Sequence, residues 1–191
     1  MKIIAGALRG RRVRFKDQAG VRPISGRIKQ SVFDIVAGLV PGAKVLDLFA
    51  GTGAVGLEAL SRGAQLAVFV DLSKACVAHI ERALAETGFR EKGRVLRGNA
   101  LSDLCWLPYR CGVSQFDLVY LGPPYKDEAG RPLACSTPAL SRLAEANLLS
   151  SGGWALLQRH VKEEVAVPPA LERFRSEKYG DTRVDFFRRA G

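Results

Sequence analysis

The sequence predicts an α/β fold: a mostly parallel sheet of seven strands covered on both faces by helices, with a C-terminal antiparallel hairpin and a small N-terminal β-hairpin extension. Three observations predict it. Short aliphatic runs alternate with helical periods from residue 41 onward, the pattern of βαβ units around a parallel sheet. A glycine-rich turn at 51–56 joins the first of those runs to a helix. The last two runs flank Gly180 and Asp181, too close together for a crossover and suited to a hairpin. The 191 residues suffice for one domain with its own core and a small appendage, and leave no room for two full domains.

Each element has a local reason. Runs at 2–5 and 12–15 flank the stretch 6–10 and read as the N-terminal hairpin, which Pro23 ends. Ser25 is an N-cap for a helix in which Ile28, Val32, Phe33, Ile35, Val36 and Leu39 recur at helical spacing until residues 38–41 stop it. Residues 1–40 therefore read as a basic extension with a linking helix, and 41–191 as the main domain. Within it, strands are expected at 44–49, 66–71, 94–98, 116–121, 154–159, 172–179 and 182–189, and helices at 54–62, 73–88 and 137–147.

Charge is concentrated at one end. The formal net charge is +10, and residues 1–40 hold nine basic side chains against two acidic ones. Arg9, Arg11, Arg12, Arg14, Arg22, Arg27 and Lys29 are the candidates for a polyanion surface, because guanidinium groups fork onto phosphate oxygens and release counterions. A merely solvated strand pair is the blander alternative. Cys76, Cys105, Cys111 and Cys135 never stand as C-x-x-C, and His79 and His160 lie far from them, so no zinc spacing and no metal site is expected. No apolar stretch reaches the roughly 18 to 20 residues that span a bilayer, and the N-terminus lacks a secretion signal. A cytoplasmic protein with no membrane partner is expected.

The most informative stretch runs from Val45 to Glu58. A strand enters the turn Gly51-Thr52-Gly53 and a helix follows, so a ligand can approach bare backbone. Alone, the glycine pattern also fits a dinucleotide. Asp47, however, stands four residues before Gly51, where a carboxylate opposes a pyrophosphate and suits an ammonium. Asp71 ends the next strand, 24 residues on, where an acid accepts ribose hydroxyls. Two acids at neighbouring strand ends suit S-adenosylmethionine, which carries an ammonium, a sulfonium and an unphosphorylated ribose. Phe49, Gly51 and Gly53 belong to the same loop. Leu72 could pack on the adenine, while Asn99 and the Ala100 backbone, after the third strand, could meet its edge. The alternatives are that Asp47 caps its strand, Asp71 caps the helix at Ser73, and Asn99 is a turn residue.

The fourth strand opens into Gly122-Pro123-Pro124-Tyr125. Here the chain resembles the bacterial small-subunit (16S) ribosomal RNA guanine-N2 methyltransferases of the RsmD type, members of the Rossmann-like class I S-adenosylmethionine-dependent methyltransferases. The resemblance rests on Ile3-Ile4-Ala5-Gly6 with Arg9-Gly10-Arg11, on Arg22-Pro23, on the loop from Asp47 to Gly53, and on the run from Gly56 to Ala64. It continues through Asp117-Leu118-Val119 and Pro123-Pro124-Tyr125 to Tyr179-Gly180-Asp181-Thr182.

The resemblance implies methyl transfer to the exocyclic N2 of a guanine in 16S ribosomal RNA or a small-subunit assembly particle, with release of S-adenosylhomocysteine, by a monomer. It also implies that residues 122–125 form the catalytic loop. In the family the first loop residue and the next proline's carbonyl accept hydrogen bonds from the amine, and the aromatic stacks on a flipped base. This chain has Gly122 where the family has Asp, Asn or Ser, so one acceptor is missing and slowed transfer is expected. Ile24 and Gln30 replace the family's usual Thr and Glu. Asp117 lies roughly 16 Å upstream along the strand, which leaves Asp127 and Glu128 as the acids that could fold back. The remaining readings are a binding protein of the same fold, an N-methyltransferase acting on DNA or a protein amide, and, more distantly, a nicotinamide oxidoreductase.

Overall fold

The computed structural model describes residues 1–14, 24–127 and 129–191. Seven strands, β1 (Lys44–Leu48), β2 (Leu66–Asp71), β3 (Gly93–Arg97), β4 (Phe116–Leu121), β5 (Leu149–His160), β6 (Leu171–Tyr179) and β7 (Thr182–Arg189), form one sheet in the order β3-β2-β1-β4-β5-β7-β6. Strands β1 to β5 run parallel, and β7 pairs antiparallel with both β5 and β6. The expected mixed sheet with its C-terminal hairpin is present.

Alternate residues of the central strands point to opposite faces, and each face buries its own core. Val45, Phe69, Leu118 and Tyr120 pack with α1 (Gly26–Ile35), α2 (Ala54–Ser61) and α3 (Lys74–Thr87). Leu46, Leu48, Val70 and Leu121 pack with α4 (Leu107–Cys111) and α5 (Ser136–Glu145). Ser25 caps α1 as expected, accepting from the Ile28 N–H at 3.3 Å. The helix ends at Ile35, before its apolar period does, and residues 36–43 continue as tight turns.

Several expectations change. Among the described residues the N-terminal hairpin consists of one antiparallel bridge, Lys2 to Arg12, with flanking backbone hydrogen bonds such as Ile3 N–H to the Arg11 carbonyl at 2.9 Å. Strand β5 begins five residues earlier than its sequence pattern suggests. Gly152 and Gly153, just before the expected start, lie inside the strand, where a register shift against β4 absorbs them. Helix α4 and a 3-10 turn at Arg90–Lys92 have no counterpart among the expected elements, since both are too short to show a period.

Lys29 requires a correction. It is 3 % exposed and its Nζ lies 2.9 Å from both Glu58 Oε2 and the Lys2 carbonyl. It falls on the α1 face that carries Ile28, Val32 and Phe33, so it is unavailable to a polyanion. Glu58, itself fully buried, also accepts from the N–H groups of Ile4 and Ala5 and from Arg62 Nε. One carboxylate thus fastens the extension to α1 and α2. Burial alone would raise its pKa, but the Ile4 N–H, Lys29 and Arg62 outweigh burial and hold it below the ordinary value.

Candidate functional site

The strand order reverses beside β1, whose neighbours are β2 and β4. In an open α/β sheet the carboxyl ends of the strands at such a point border a crevice, and the candidate residues from three strands gather there. Asp47 lies near the end of β1, Asp71 ends β2, and residues 122–125 follow β4.

The turn after β1 is tight. Phe49, Gly51 and Gly53 all have positive φ, at 60°, 54° and 71°, a cost that glycine avoids and Phe49 bears. Gly56 has a different constraint. A Cβ there would lie 2.2 Å from the Phe69 ring, so the absence of a side chain lets α2 press against β2 and brings its N-terminus to the crevice.

Asp47 is buried and, among the described residues, accepts one hydrogen bond, from the Gly56 N–H at 2.9 Å. Desolvation, helped by the charge of nearby Asp71 and only partly countered by the Gly56 N–H, raises its pKa from 3.8 to about 8. A carboxylate in this state calls for a cation. Asp71 is partly buried and ties the turn together, accepting from the Gly51 N–H at 2.7 Å and the Ser73 N–H at 2.9 Å. The cap of α3 is Ser73, which accepts from Cys76 N–H, so Asp71 is not the helix cap. Each carboxylate oxygen retains a second lone pair that could take a ribose hydroxyl.

Leu72 is 61 % exposed, an apolar side chain left in water at the edge of this crevice. Ala100 is buried, and Asn99 is exposed, its Oδ1 accepting from the Leu101 N–H at 2.9 Å. The turn role of Asn99 is therefore realised. No sequence signal marks Trp106, which also borders this region; its ring sits where a Cβ on Gly98 would be, at 2.6 Å. A buried acid that a cation would ionise, bare backbone and exposed aliphatic surface together fit a cationic nucleoside.

On the acceptor side, the Gly122 N–H donates to the Leu48 carbonyl at 3.3 Å, Pro123 is buried, Pro124 exposed and Tyr125 half-buried. Behind the loop, the Tyr120 hydroxyl donates to Gln158 Oε1 at 2.6 Å and Gln158 Nε2 donates to the Tyr125 hydroxyl at 2.9 Å. Neither Tyr120 nor Gln158 is a candidate from the sequence, because their meeting depends on the β4–β5 register. Asp127 does not substitute for a side chain at 122. Arg131 holds it in a turn, with Nε 2.7 Å from Oδ2. Glu128 lies outside the described residues. Asp117 accepts from the Lys44 N–H at the opposite end of the sheet.

Of the basic candidates, Arg9, Arg12, Arg14 and Arg27 are exposed. Arg11 is exposed as well, with its guanidinium on the Glu86 carbonyl. Arg22 lies outside the described residues. The extension reaches the cofactor turn, since Thr52 Oγ1 lies 3.7 Å from Met1 Sδ. Ile24 packs against the α1 core, and Gln30 donates to Asp34. Among the described residues no group of His, Cys, Asp and Glu could hold a metal ion, and no helix is long and apolar enough to cross a membrane.

Comparison with known proteins points in the same direction. The family model described as "Conserved hypothetical protein 95" matches residues 1–188. The putative rRNA methyltransferase YlbH of Bacillus subtilis is 29 % identical over the full length of both chains. Ribosomal RNA small subunit methyltransferase D of Escherichia coli is 34 % identical across 81 % of this chain and 69 % of its own. The solved structure of the putative methyltransferase yhhF from Escherichia coli superimposes with a TM-score of 0.81 at 25 % identity, covering 99 % of this chain and 97 % of that one. Sequence, fold and crevice agree, and the chain belongs to this family of Rossmann-like, S-adenosylmethionine-dependent methyltransferases.

Proposed function

We propose that the chain methylates the exocyclic N2 of a guanine in 16S ribosomal RNA, as naked RNA or in a small-subunit assembly particle, working as a cytoplasmic monomer. The observation that carries this reading is Asp47, buried with a pKa of about 8 and facing the same crevice end as the Pro123-Pro124-Tyr125 loop. The names of the relatives supply the ribosomal RNA.

In this reading Asp47 takes the amino-acid ammonium of S-adenosylmethionine, directly or through water, and Asp71 takes the ribose. Phe49, Gly51 and Gly53 shape the backbone beside them, while Leu72, Asn99 and Ala100 border the adenine. When bound, the cofactor supplies a methyl group on a sulfonium, an electrophile for an amine. The protein's own task is to make a poor nucleophile competent, because the guanine amine shares its lone pair with the ring. The Pro123 carbonyl accepts one of its hydrogens, Pro124 stiffens the loop, and the Tyr125 ring stacks on the base, which together hold the nitrogen in line. Gly122 supplies no side-chain acceptor.

Residues 1–40 act as the RNA-facing extension. Arg9, Arg11, Arg12, Arg14 and Arg27 meet phosphates there, and Arg22 belongs to the same proposal. Replacing Arg12 and Arg14 by Gln should weaken binding across RNA sequences and reduce the salt slope by about 1 for each phosphate no longer neutralised.

Labelled S-adenosylmethionine, small-subunit RNA or particles, and the natural chain beside Gly122→Asp form the test. Label in guanine N2 from the natural chain is expected, with more from the variant. A Cβ at 122 lies 3.0 Å from Tyr120 Cε1, so that ring must give by a few tenths of an ångström, and the expected gain is about tenfold rather than the 10² or more that one acceptor can supply. Gly122 also favours a second reading, an RNA-binding protein of the same fold without transfer. Label from the variant alone establishes that second reading, and label in DNA or protein but not RNA changes the substrate class.

A further inference from the structure

The acceptor loop keeps no side chain at its first position, and the room beside it is taken from below. Tyr120, two residues earlier on β4, brings Cε1 to 3.0 Å from where a Cβ on Gly122 would be. Its ring is 5 % exposed, and burial, with the neighbouring Tyr125 and Asp47, raises its pKa well above the ordinary phenol value. The hydroxyl stays protonated and donates to Gln158 Oε1 at 2.6 Å.

Gln158 passes this contact outward. Its Nε2 donates to the Tyr125 hydroxyl at 2.9 Å. Two residues further on, and on the same face of β5, His160 meets the Tyr125 ring edge to face, with centroids 6.1 Å apart and planes at 72°. The side chain of Tyr125 is thus held at its hydroxyl and along its ring from a single strand. That strand is anchored on both sides, pairing through Leu156 with Tyr120 of β4 and through Gln158 with Val184 of β7. A surface aromatic waiting for a ligand would not need such support. One whose ring plane must be preset would.

We propose that Gln158 is a positioning residue that fixes the attitude of the Tyr125 ring for the incoming acceptor base, bridging it to the buried Tyr120 in a loop whose position 122 offers no side chain. The inference rests on the proposed role of Tyr125 and adds a residue to it.

The test has one readout for the ring and one for the reaction. The protein is labelled with 3-fluorotyrosine and the Tyr125 resonance assigned by its loss in Tyr125→Phe. In Gln158→Leu that resonance should move toward the averaged shift of a mobile ring. In Gln158→Glu, which can still accept from a phenol, it should move less. Calorimetry with S-adenosylhomocysteine should show an affinity unchanged within about twofold for both, since no cofactor candidate is touched. Methyl transfer should fall about three- to tenfold in Gln158→Leu, the range of one neutral hydrogen bond, with partial recovery in Gln158→Glu. In a Tyr125→Phe background Gln158→Leu should have no further effect, because both changes remove the same link. An unmoved fluorine resonance overturns the proposal, as do rate losses that add fully in the double variant. A natural chain that transfers no methyl defeats the proposed function instead, and the resonance alone then decides whether Gln158 sets Tyr125.

Discussion

Two carboxylates stand at the two ends of the Asp47–Glu58 stretch, both buried, and the protein treats them in opposite ways. Glu58 is saturated: two backbone N–H groups, one ammonium and one guanidinium converge on it. Among the described residues Asp47 has a single N–H and a second carboxylate nearby. The consequence is written in their acidities, Glu58 held below its ordinary value and Asp47 raised to about 8. A buried charge with all its partners inside the chain is architecture. A buried acid with no cation beside it among the described residues is suited to one from outside, which is the role proposed for Asp47.

The sharpest way to break this contrast is to remove each carboxylate. Glu58→Ala leaves the buried Lys29 ammonium without its counter-charge and the Ile4 and Ala5 N–H groups without their acceptor, a loss of about 3–5 kcal/mol. Chemical denaturation should register it, and hydrogen exchange should show Ile4 and Ala5 exposed first. Asp47→Asn should do the reverse. Its amide stands in for an acid that is already protonated at pH 7, so the melting temperature of the ligand-free protein should hold there and rise only above pH 8, where the acid would ionise. The affinity for S-adenosylhomocysteine should fall by about 10- to 100-fold, the worth of a charged hydrogen bond. A variant that loses stability and keeps its affinity would return Asp47 to the role of strand cap.

The acidities also assign the two groups to different pH windows. The lowered pKa of Glu58 gives stability that is present above its ordinary value of 4.5 and is lost as pH falls through the folded value. The raised pKa of Asp47 gives stability that is complete below 3.8 and is lost as pH climbs toward about 8. Ligand binding through an ammonium needs Asp47 ionised, so at pH 7 it must expel a proton. Affinity for S-adenosylhomocysteine should therefore rise from pH 6 to 8, by at most about tenfold per unit, then level off. Titrations in buffers of different ionisation enthalpy would count the released proton, and a pH-independent affinity would contradict the assignment.

How far the sequence reveals each region follows from the range of the interactions. The alternation of strands and helices, the glycine turn, and Asp47 and Asp71 at neighbouring strand ends are visible because strand and helix periods and βαβ connections are local rules. The fate of Lys29 is not visible. Its charge suggests the surface, and only the packing of α1 onto α2 brings Glu58 to it, from 29 residues away. Gln158 is hidden for the same reason. Nothing near it in the chain marks it, and its two phenols come from β4 and the loop beyond. The start of β5 is placed too late from sequence because Gly152 and Gly153 interrupt its aliphatic run, and only pairing with β4 accommodates them. Local periodicity therefore carries the backbone of the site, while the partners of each polar side chain wait for the register.

The smallest effect expected concerns Leu72, which tests whether the crevice is unfinished on its apolar side as well as its charged one. At 61 % exposure the side chain contributes little to folding, so Leu72→Ser should leave stability within about 0.5 kcal/mol of the natural chain. If the adenine covers it, the same change removes roughly 40–60 Å² of apolar contact, and at about 25 cal/mol per Å² that weakens S-adenosylhomocysteine by roughly five- to tenfold. Adenosine alone should lose the same factor, since in the proposed site the amino-acid end of the ligand lies with Asp47. A loss seen with S-adenosylhomocysteine but not with adenosine would place Leu72 at the wrong end of the pocket. Equal losses would show that the exposed leucine and the under-partnered Asp47 are two faces of one site, each left incomplete by the chain and completed by the same ligand.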